Sequence, residues 1–152
     1  MEVLKNGEKQ EGILYTKRNC CFGIVERNGL YLLVYSHKDD NYSFPGGGIE
    51  SGESLEDTTR REFLEEAGYA VSDLKKFVEV YSHIRTKKGI YMEKFDTFFV
   101  VSVDEKSKQT PLEDWHERVW VKEEDVRKTI SASFQRLAFD YYLNNVKNKE
   151  KI

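Results

Sequence analysis

The alternation of apolar and polar positions predicts a chain in which strands are interrupted by helices. Several runs rich in β-branched and aromatic residues predict strands. They cover residues 19–27, 30–36, 75–84, 91–103 and 118–121. The first two runs are separated by Asn28-Gly29, a pair typical of two-residue hairpin turns because both residues tolerate positive φ. We therefore expect a hairpin close to the start of the domain.

Helical spacing replaces the strand pattern in residues 54–67, 122–130 and 131–146. In the first segment Ser54 is a good N-terminal cap and Gly68 a natural terminator. The buried stripe should consist of Leu55, Thr59, Phe63 and Ala67. Before this helix, Pro45 and the glycine triplet should end any strand. The pattern predicts a mixed α/β fold in a single domain over residues 1–152, with a frayed tail at 147–152.

Composition narrows the class of protein further. The chain has 152 residues, 39% apolar and 13% aromatic, which describes a folded domain. Its net charge of −3 argues against a duplex nucleic acid partner, which usually requires a basic face. The N-terminus lacks the apolar core of a signal peptide, and no run approaches the roughly 20 apolar residues of a membrane span. We expect no membrane partner; oligomeric state is not readable from the sequence.

Cysteine usage indicates a reducing compartment. Cys20 and Cys21 are adjacent on a predicted strand, so their side chains point to opposite faces and cannot readily form a bridge. Neither belongs to a Cys/His spacing typical of metal sites. We therefore expect reduced thiols and a cytoplasmic protein.

The first predicted helix is crowded with negative charge. Glu62, Glu65 and Glu66 lie three and four positions apart and project to one side of the helix. They would repel one another unless a hard divalent cation such as Mg²⁺ or Mn²⁺ compensates their charge. The preceding Gly46–Gly48 would let backbone groups approach a phosphate or a metal closely. The alternative is a solvated helix face whose charge is partly offset by the neighbouring arginines.

The spacing of these residues resembles a known signature. Gly47 is followed after five residues by Glu53, and after seven more by the segment Arg61–Tyr69, which reads REFLEEAGY. This arrangement is similar, position for position, to the motif of the Nudix (MutT-like) hydrolases. Phe63 and Tyr69 are bulkier than the usual apolar residues at their positions. The resemblance extends loosely over residues 18–145 and implies a Nudix fold, a mixed β-sheet sandwiched between α-helices.

The resemblance also implies roles for individual residues. Glu62, Glu65 and Glu66 would hold catalytic divalent metal, normally Mg²⁺ with Mn²⁺ as a substitute, and the Gly46 carbonyl would be a further ligand. The remaining catalytic residues would be Arg61 and Glu53, a salt-bridged pair that orients the helix against the loop. Members of the family hydrolyse a nucleoside diphosphate linked to another group, through attack of water on phosphorus.

A general base in such enzymes often comes from a carboxylate outside the motif. The chain offers Glu113, Asp114 and Glu117 before the strand at 118–121. We select Glu117, because it lies three residues before Trp120, where the family often carries such an acid. One of the motif glutamates is the alternative base, and a solvated loop residue is the non-catalytic interpretation of Glu117.

Aromatic residues near the glycine loop are candidates for nucleotide contacts. Tyr42 and Phe44 could stack on a nucleobase, with Gly47 approaching the substrate through its backbone. Further candidates are Tyr81, His83, Trp115 and His116. Packing in the core is the alternative for each of them.

The resemblance leaves several substrate classes open. Only about 18 residues precede the first predicted strand, whereas enzymes of the family that act on ADP-ribose or nucleotide sugars commonly carry a larger N-terminal extension. This favours a (deoxy)nucleoside triphosphate or a modified nucleotide. The alternatives are ADP-ribose, nucleotide sugars, dinucleoside polyphosphates and capped RNA ends. A non-catalytic nucleotide-binding sensor is the alternative from a different class.

Overall fold

A computed structural model describes residues 1–147 of the chain. The strands are β1 Glu2–Asn6, β2 Thr16–Ile24, β3 Glu26–Arg27, β4 Leu30–Ser36, β5 Asn41–Ser43, β6 Gly46–Gly48, β7 Val71–Arg85, β8 Tyr91–Val103 and β9 His116–Lys122. The α-helices are α1 Leu55–Glu62, α2 Glu123–Thr129 and α3 Ser133–Tyr141. Helix α1 continues into a π-helical turn, Phe63–Ala67, and α3 into another, Tyr142–Lys147. A short 3₁₀ turn covers Glu105–Ser107. We call α1 with its π-helical turn the motif helix.

Two sheets form the centre of the molecule. The first has five strands in the order β1-β7-β8-β2-β6, with β1 parallel to β7, β2 parallel to β8, and the other two pairs antiparallel. In the second, β4 pairs along its whole length with β9 and also with the shorter β3 and β5. The expected mixed α/β architecture, with a mixed sheet and helices, is confirmed.

Alternating side chains divide the interior into two cores. The α1 core lies beneath the motif helix and includes Cys21, Leu32, Phe63, Tyr69 and Phe99. The α3 core lies beneath α3 and includes Phe22, Leu33, Phe44, Phe98 and Phe139. Because successive residues of a strand face opposite sides, neighbours such as Leu32 and Leu33 belong to different cores. Whether a residue of these strands faces the motif helix or α3 therefore depends on its place in the alternation, odd or even, along the strand.

The local signals around the motif helix are confirmed. The Ser54 hydroxyl accepts a hydrogen bond from the Asp57 backbone N–H at 3.0 Å, and Gly68 ends the helix in the left-handed region at φ 72°. Thr59, Phe63 and Ala67 are buried, as the stripe predicts. The hairpin is also confirmed, since Asn28 and Gly29 have φ of 52° and 79° between β3 and β4.

Several features of the sheets differ from the sequence prediction, among them β5, which lies in a segment with no predicted strand. The strand expected at 19–27 is interrupted at Val25, where the chain leaves the first sheet for the second. The glycine triplet forms β6 on β2, although we expected it only to end a strand. Strand β1 was not predicted at all; it pairs with residues 78–82 of β7 and is mostly exposed, so it has no apolar run to announce it.

Other sequence expectations concern the cysteines and the ends of the chain. Cys20 and Cys21 are both free thiols and buried in different cores, as predicted. Within residues 1–147, no helix combines the length and apolar character needed to cross a membrane. The tail predicted to fray lies, beyond Lys147, outside the described residues.

Candidate active site

The glycine loop lies directly against the motif helix because its residues lack side chains. A Cβ on Gly46 would stand 2.1 Å from the Cys21 carbonyl oxygen of the paired strand. A Cβ on Gly47 would stand 2.6 Å from Oε1 of Glu62. Both distances are shorter than real Cβ contacts, so a larger residue at 46 would push the loop away from β2 and one at 47 would push it away from the motif helix. The glycines therefore set how closely the loop approaches the carboxylates.

Arg61 connects the helix to this loop. Its Nε and Nη2 donate to the two carboxylate oxygens of Glu53 at 2.7 and 3.0 Å, and Nη2 also donates to the Gly48 carbonyl at 3.1 Å. This two-point pairing holds the pKa of Glu53 at about 2. The expected Arg61–Glu53 ion pair is thus present. On its other side, Nη1 donates to Glu62 at 3.0 Å and to Glu65 at 3.1 Å.

Two of the motif glutamates, Glu62 and Glu66, are buried. Burial raises the pKa of Glu62 to about 7, against the opposing effect of Arg61. Burial also raises the pKa of Glu66 well above its usual range, although Glu66 Oε1 accepts the Gly46 N–H at 2.8 Å. Oxygen ligands that are buried together and short of positive charge suit a hard divalent cation. The residues present therefore fit the metal that the sequence predicts.

Strand β9 brings a further group to Glu66. His116 Nε2 lies 3.2 Å from Glu66 Oε2, and His116 Nδ1 lies 3.0 Å from Glu113 Oε1. The Glu113 N–H donates to the Glu65 carbonyl at 2.9 Å, which ties the loop before β9 to the motif helix. Sequence reasoning had named Glu113 as a possible base and His116 as a possible nucleotide contact. It had not placed either beside the motif.

Glu117, our selected general base, is not brought to this cluster. Its neighbours on β9, His116 and Arg118, face the motif helix, where Arg118 donates to the Ala67 carbonyl at 2.9 Å. By strand parity Glu117 points to the opposite side, and its exposed carboxylate lies 3.3 Å from His37 Nε2. Trp120 offered a sequence signal for this orientation. It packs on Tyr69 in the α1 core, and alternate residues of a strand share a side, so His116 and Arg118 lie on the side of Trp120 and Glu117 does not.

Several of the other candidates for nucleotide contacts have neighbours away from the motif glutamates. Phe44 was proposed to contact substrate, but its side chain is 0% exposed and packs on Phe139 in the α3 core, so that assignment is wrong. Tyr42 is half-buried against Tyr35 and lines a different groove, formed with α2. His83 and Tyr81 both contact the Glu93 carboxylate: Glu93 Oε2 lies 2.8 Å from His83 Nε2 and accepts a hydrogen bond from the Tyr81 hydroxyl at 2.6 Å.

A cleft of about 730 Å³ opens beside the motif. It is lined by Lys17, Arg18, Asn19, Gly48, Ile49, Glu50, Ser51, Gly52, Glu53 and Glu62. The lining includes acidic residues from the loop and motif helix together with two exposed basic residues from β2. Such a cleft can receive a metal-bound polyphosphate among groups of both charges.

The fold and this arrangement of residues define a Nudix domain. A family model described as the NUDIX domain matches residues 4–141, and the chain therefore belongs to the Nudix hydrolase family. The named relatives are hydrolases, and the family acts on pyrophosphate bonds. Its members generally use divalent metals and small nucleotide substrates.

Individual relatives are moderately similar. Nudix hydrolase 18, mitochondrial, from Arabidopsis thaliana is 30% identical over 72% of the chain and 60% of the relative. The nucleoside triphosphatase NudI from Escherichia coli is 34% identical, covering 68% of the chain and 80% of the relative. The solved mutator MutT protein of Bacillus halodurans has a TM-score of 0.70 at 22% identity, covering 84% and 83% of the two chains. The chain spans only 53% to 60% of the Arabidopsis relatives' lengths.

Proposed function

We propose that the protein is a metal-dependent pyrophosphohydrolase that cleaves a nucleoside diphosphate linked to another group. One observation carries this proposal. Arg61 donates hydrogen bonds to Glu53, Glu62 and Glu65, and two of these glutamates, Glu53 and Glu62, line the cleft beside the motif. A non-catalytic sensor would not need this set of carboxylates beside a cleft. The full set is therefore better explained by hydrolysis.

In this proposal Glu62, Glu65 and Glu66 hold divalent metal, with the Gly46 carbonyl as a further oxygen ligand. Bound Mg²⁺, or Mn²⁺ in its place, supplies positive charge that activates water and neutralises the phosphate oxygens. Arg61 keeps the carboxylates oriented by donating to Glu62 and Glu65 while Glu53 anchors its other edge. Gly47 contributes by leaving the space that the Glu62 carboxylate occupies.

The preferred substrate in this proposal is a (deoxy)nucleoside triphosphate or a modified nucleotide. Lys17 and Arg18 line the same cleft as Glu53 and Glu62, and their positive charge can attract the terminal phosphate of a triphosphate chain. The relative NudI is named as a nucleoside triphosphatase, which supports the same choice. ADP-ribose, nucleotide sugars and dinucleoside polyphosphates have no terminal phosphate to offer these basic residues.

Strand parity bears on the choice of general base. Glu113 and the motif glutamates share one side of β9, whereas Glu117 lies on the other. Glu113 or a motif glutamate is therefore the better candidate for accepting a proton from water. The assignment to Glu117 stays a prediction that kinetics can decide.

A substrate panel tests the proposed activity. Nucleoside triphosphates, ADP-ribose, a nucleotide sugar and a dinucleoside polyphosphate would each be incubated with Mg²⁺ or Mn²⁺ and assayed for phosphate or pyrophosphate. We expect triphosphates to be cleaved with the highest kcat/KM, and EDTA to abolish turnover. If calorimetry shows nucleotide binding but no compound is cleaved with either metal, the sensor alternative replaces the enzyme.

We also propose a cytoplasmic location, on the basis of the two buried free thiols. Two of the Arabidopsis relatives are named as mitochondrial, so the compartment differs within the family. Fractionation of the source cells, followed by immunoblotting, checks this proposal.

A further inference from the structure

Three side chains outside the Arg61 network converge at the end of the motif helix. Glu66, Glu113 and His116 each offer one potential ligand atom, and these atoms lie within 4.8 Å of one another. His116 Nε2 is 3.2 Å from Glu66 Oε2, and His116 Nδ1 is 3.0 Å from Glu113 Oε1. Ligand atoms bound at right angles around an ion, each about 2.1 Å from it, are about 3.0 Å apart. One ion takes a single nitrogen of His116, and because one ligand atom from each of the three residues lies within 4.8 Å of the others, small side-chain movements would bring all three to a shared ion.

The imidazole has an unsatisfied nitrogen within this cluster. Nδ1 of His116 is buried and makes no hydrogen bond among residues 1–147, despite its closeness to the Glu113 carboxylate. A buried polar atom without a partner is unfavourable, and ligation is one way to satisfy it. Arg61 contacts Glu62 and Glu65 but has no described contact with Glu66 or Glu113, so a bound cation would provide the charge that this end of the helix lacks.

We propose that His116, Glu66 and Glu113 form a binding site for a divalent transition-metal ion, with an imidazole nitrogen of His116 as a direct ligand. The site shares Glu66 with the proposed catalytic carboxylates, but its existence does not depend on hydrolysis. Imidazole is a ligand for transition metals, whereas Mg²⁺ prefers oxygen. The nitrogen ligand therefore favours a transition-metal ion over Mg²⁺ at this position.

Manganese provides a direct test without any substrate. Mn²⁺ would be titrated into the protein by calorimetry, and pulsed electron paramagnetic resonance would be recorded for ¹⁴N coupling. We expect a histidine-type ¹⁴N modulation in the wild-type protein. In His116→Gln that modulation should disappear, and the dissociation constant for Mn²⁺ should rise at least about tenfold. In Glu113→Gln affinity should fall while the ¹⁴N modulation remains.

His37→Gln is the matched control, because His37 also lies beside a glutamate, Glu117, but on the opposite side of β9. It should keep both the modulation and the wild-type affinity. Circular dichroism and thermal melting would establish that each variant is folded. Full Mn²⁺ occupancy of the wild-type protein without histidine ¹⁴N coupling overturns the proposal. So does a modulation that persists in a folded His116→Gln variant. Because these measurements contain no nucleotide, their failure is distinguishable from failure of the proposed hydrolysis.

Discussion

At the scale of single residues, Glu66 contacts both the glycine loop and strand β9. Its Oε1 accepts the Gly46 N–H, and its Oε2 lies beside His116. Burial raises the pKa of Glu66 well above its usual range, so the ionised carboxylate is unfavourable here unless it is compensated. This residue therefore lowers the stability of the metal-free fold while offering a strong ligand to a cation.

Replacing Glu66 tests that role. Glu66→Gln keeps the side-chain volume and the acceptor for Gly46, so we expect the variant to fold. Because a charged ligand is lost, kcat with Mg²⁺ should fall about 10- to 100-fold or more. Steady-state kinetics over a Mg²⁺ titration provides the measurement, with Glu56→Gln on the exposed side of α1 as control. Wild-type activity together with unchanged metal affinity would remove Glu66 from the ligands.

The identity of the general base is a second question for single residues. From its position we expect Glu117→Gln to leave kcat and KM near wild type, because the carboxylate is exposed on the side away from the motif helix. Glu113→Gln should lower kcat by about 10²- to 10⁴-fold if Glu113 accepts the proton. If Glu113 acts only as a metal ligand, excess metal should instead restore the rate.

The variants Glu117→Gln and Glu113→Gln can also support the sequence-based assignment of Glu117 as the general base. A large loss of kcat in Glu117→Gln alone, with unchanged metal dependence, would identify Glu117 as the base. Measuring kcat for both variants across a metal titration separates these outcomes.

At the scale of elements, the short strand β6 lies against the motif glutamates Glu62 and Glu66. We expect Gly47→Ala to reduce activity while the fold is kept, because the new Cβ would meet the Glu62 carboxylate at 2.6 Å. Gly48→Ala is the neighbouring control, since its Cβ would be 3.4 Å from the flexible Arg18 guanidinium. Measured kcat/KM should fall more for Gly47→Ala than for Gly48→Ala. Equal losses would mean that β6 tolerates no side chain for a reason unrelated to Glu62.

Elements with local signals could be predicted from the sequence. The motif helix has a cap at Ser54, a stripe that ends at Ala67 and a terminator at Gly68, and each signal depends on nearby residues alone. The Arg61–Glu53 pair was also predictable, because the motif resemblance fixes the spacing between loop and helix. Strand β1 could not be predicted in this way, because an exposed edge strand that is held by backbone pairing with β7 needs no apolar run.

Two candidate residues lie away from the motif glutamates for a common physical reason. Glu117 and His116 are adjacent in sequence, and it is His116 that shares the side of β9 on which Trp120 packs against Tyr69. Phe44 lies two residues before Gly46, yet its ring enters the α3 core because the chain turns between those positions. Sequence proximity to a motif therefore does not determine which side of a sheet a side chain occupies.

At the scale of the whole molecule, another buried acid opposes the stability of the fold. Asp96 on β8 is 0% exposed, and its carboxylate oxygens accept no hydrogen bond within the described part of the chain. The nearest cation is Lys94 Nζ at 3.6 Å, with Arg18 and Cys20 also close enough to influence the charge. Burial raises the pKa of Asp96 to about 6, against the lowering effect of Lys94. The native state consequently binds this proton more tightly than the unfolded chain does.

The sign of the resulting pH dependence follows from linkage. Well above pH 6, Asp96 is ionised in both the native and the unfolded state, and the buried charge lowers the free energy of unfolding by its full amount. Below about pH 4, Asp96 is protonated in both states and this destabilisation is absent. Asp96→Asn removes the ionisation and should raise the free energy of unfolding at pH 7.5 by an amount of the order of 3 kcal/mol or less. The gain over wild type should shrink as the pH falls to 4.5. Urea unfolding at both pH values measures this gain in the free energy of unfolding, with the exposed Asp73→Asn as control.

A gain that is equal at the two pH values would assign the effect of Asp96→Asn to packing. A loss of stability at pH 7.5 would mean that the pairing with Lys94 outweighs the burial of the charge.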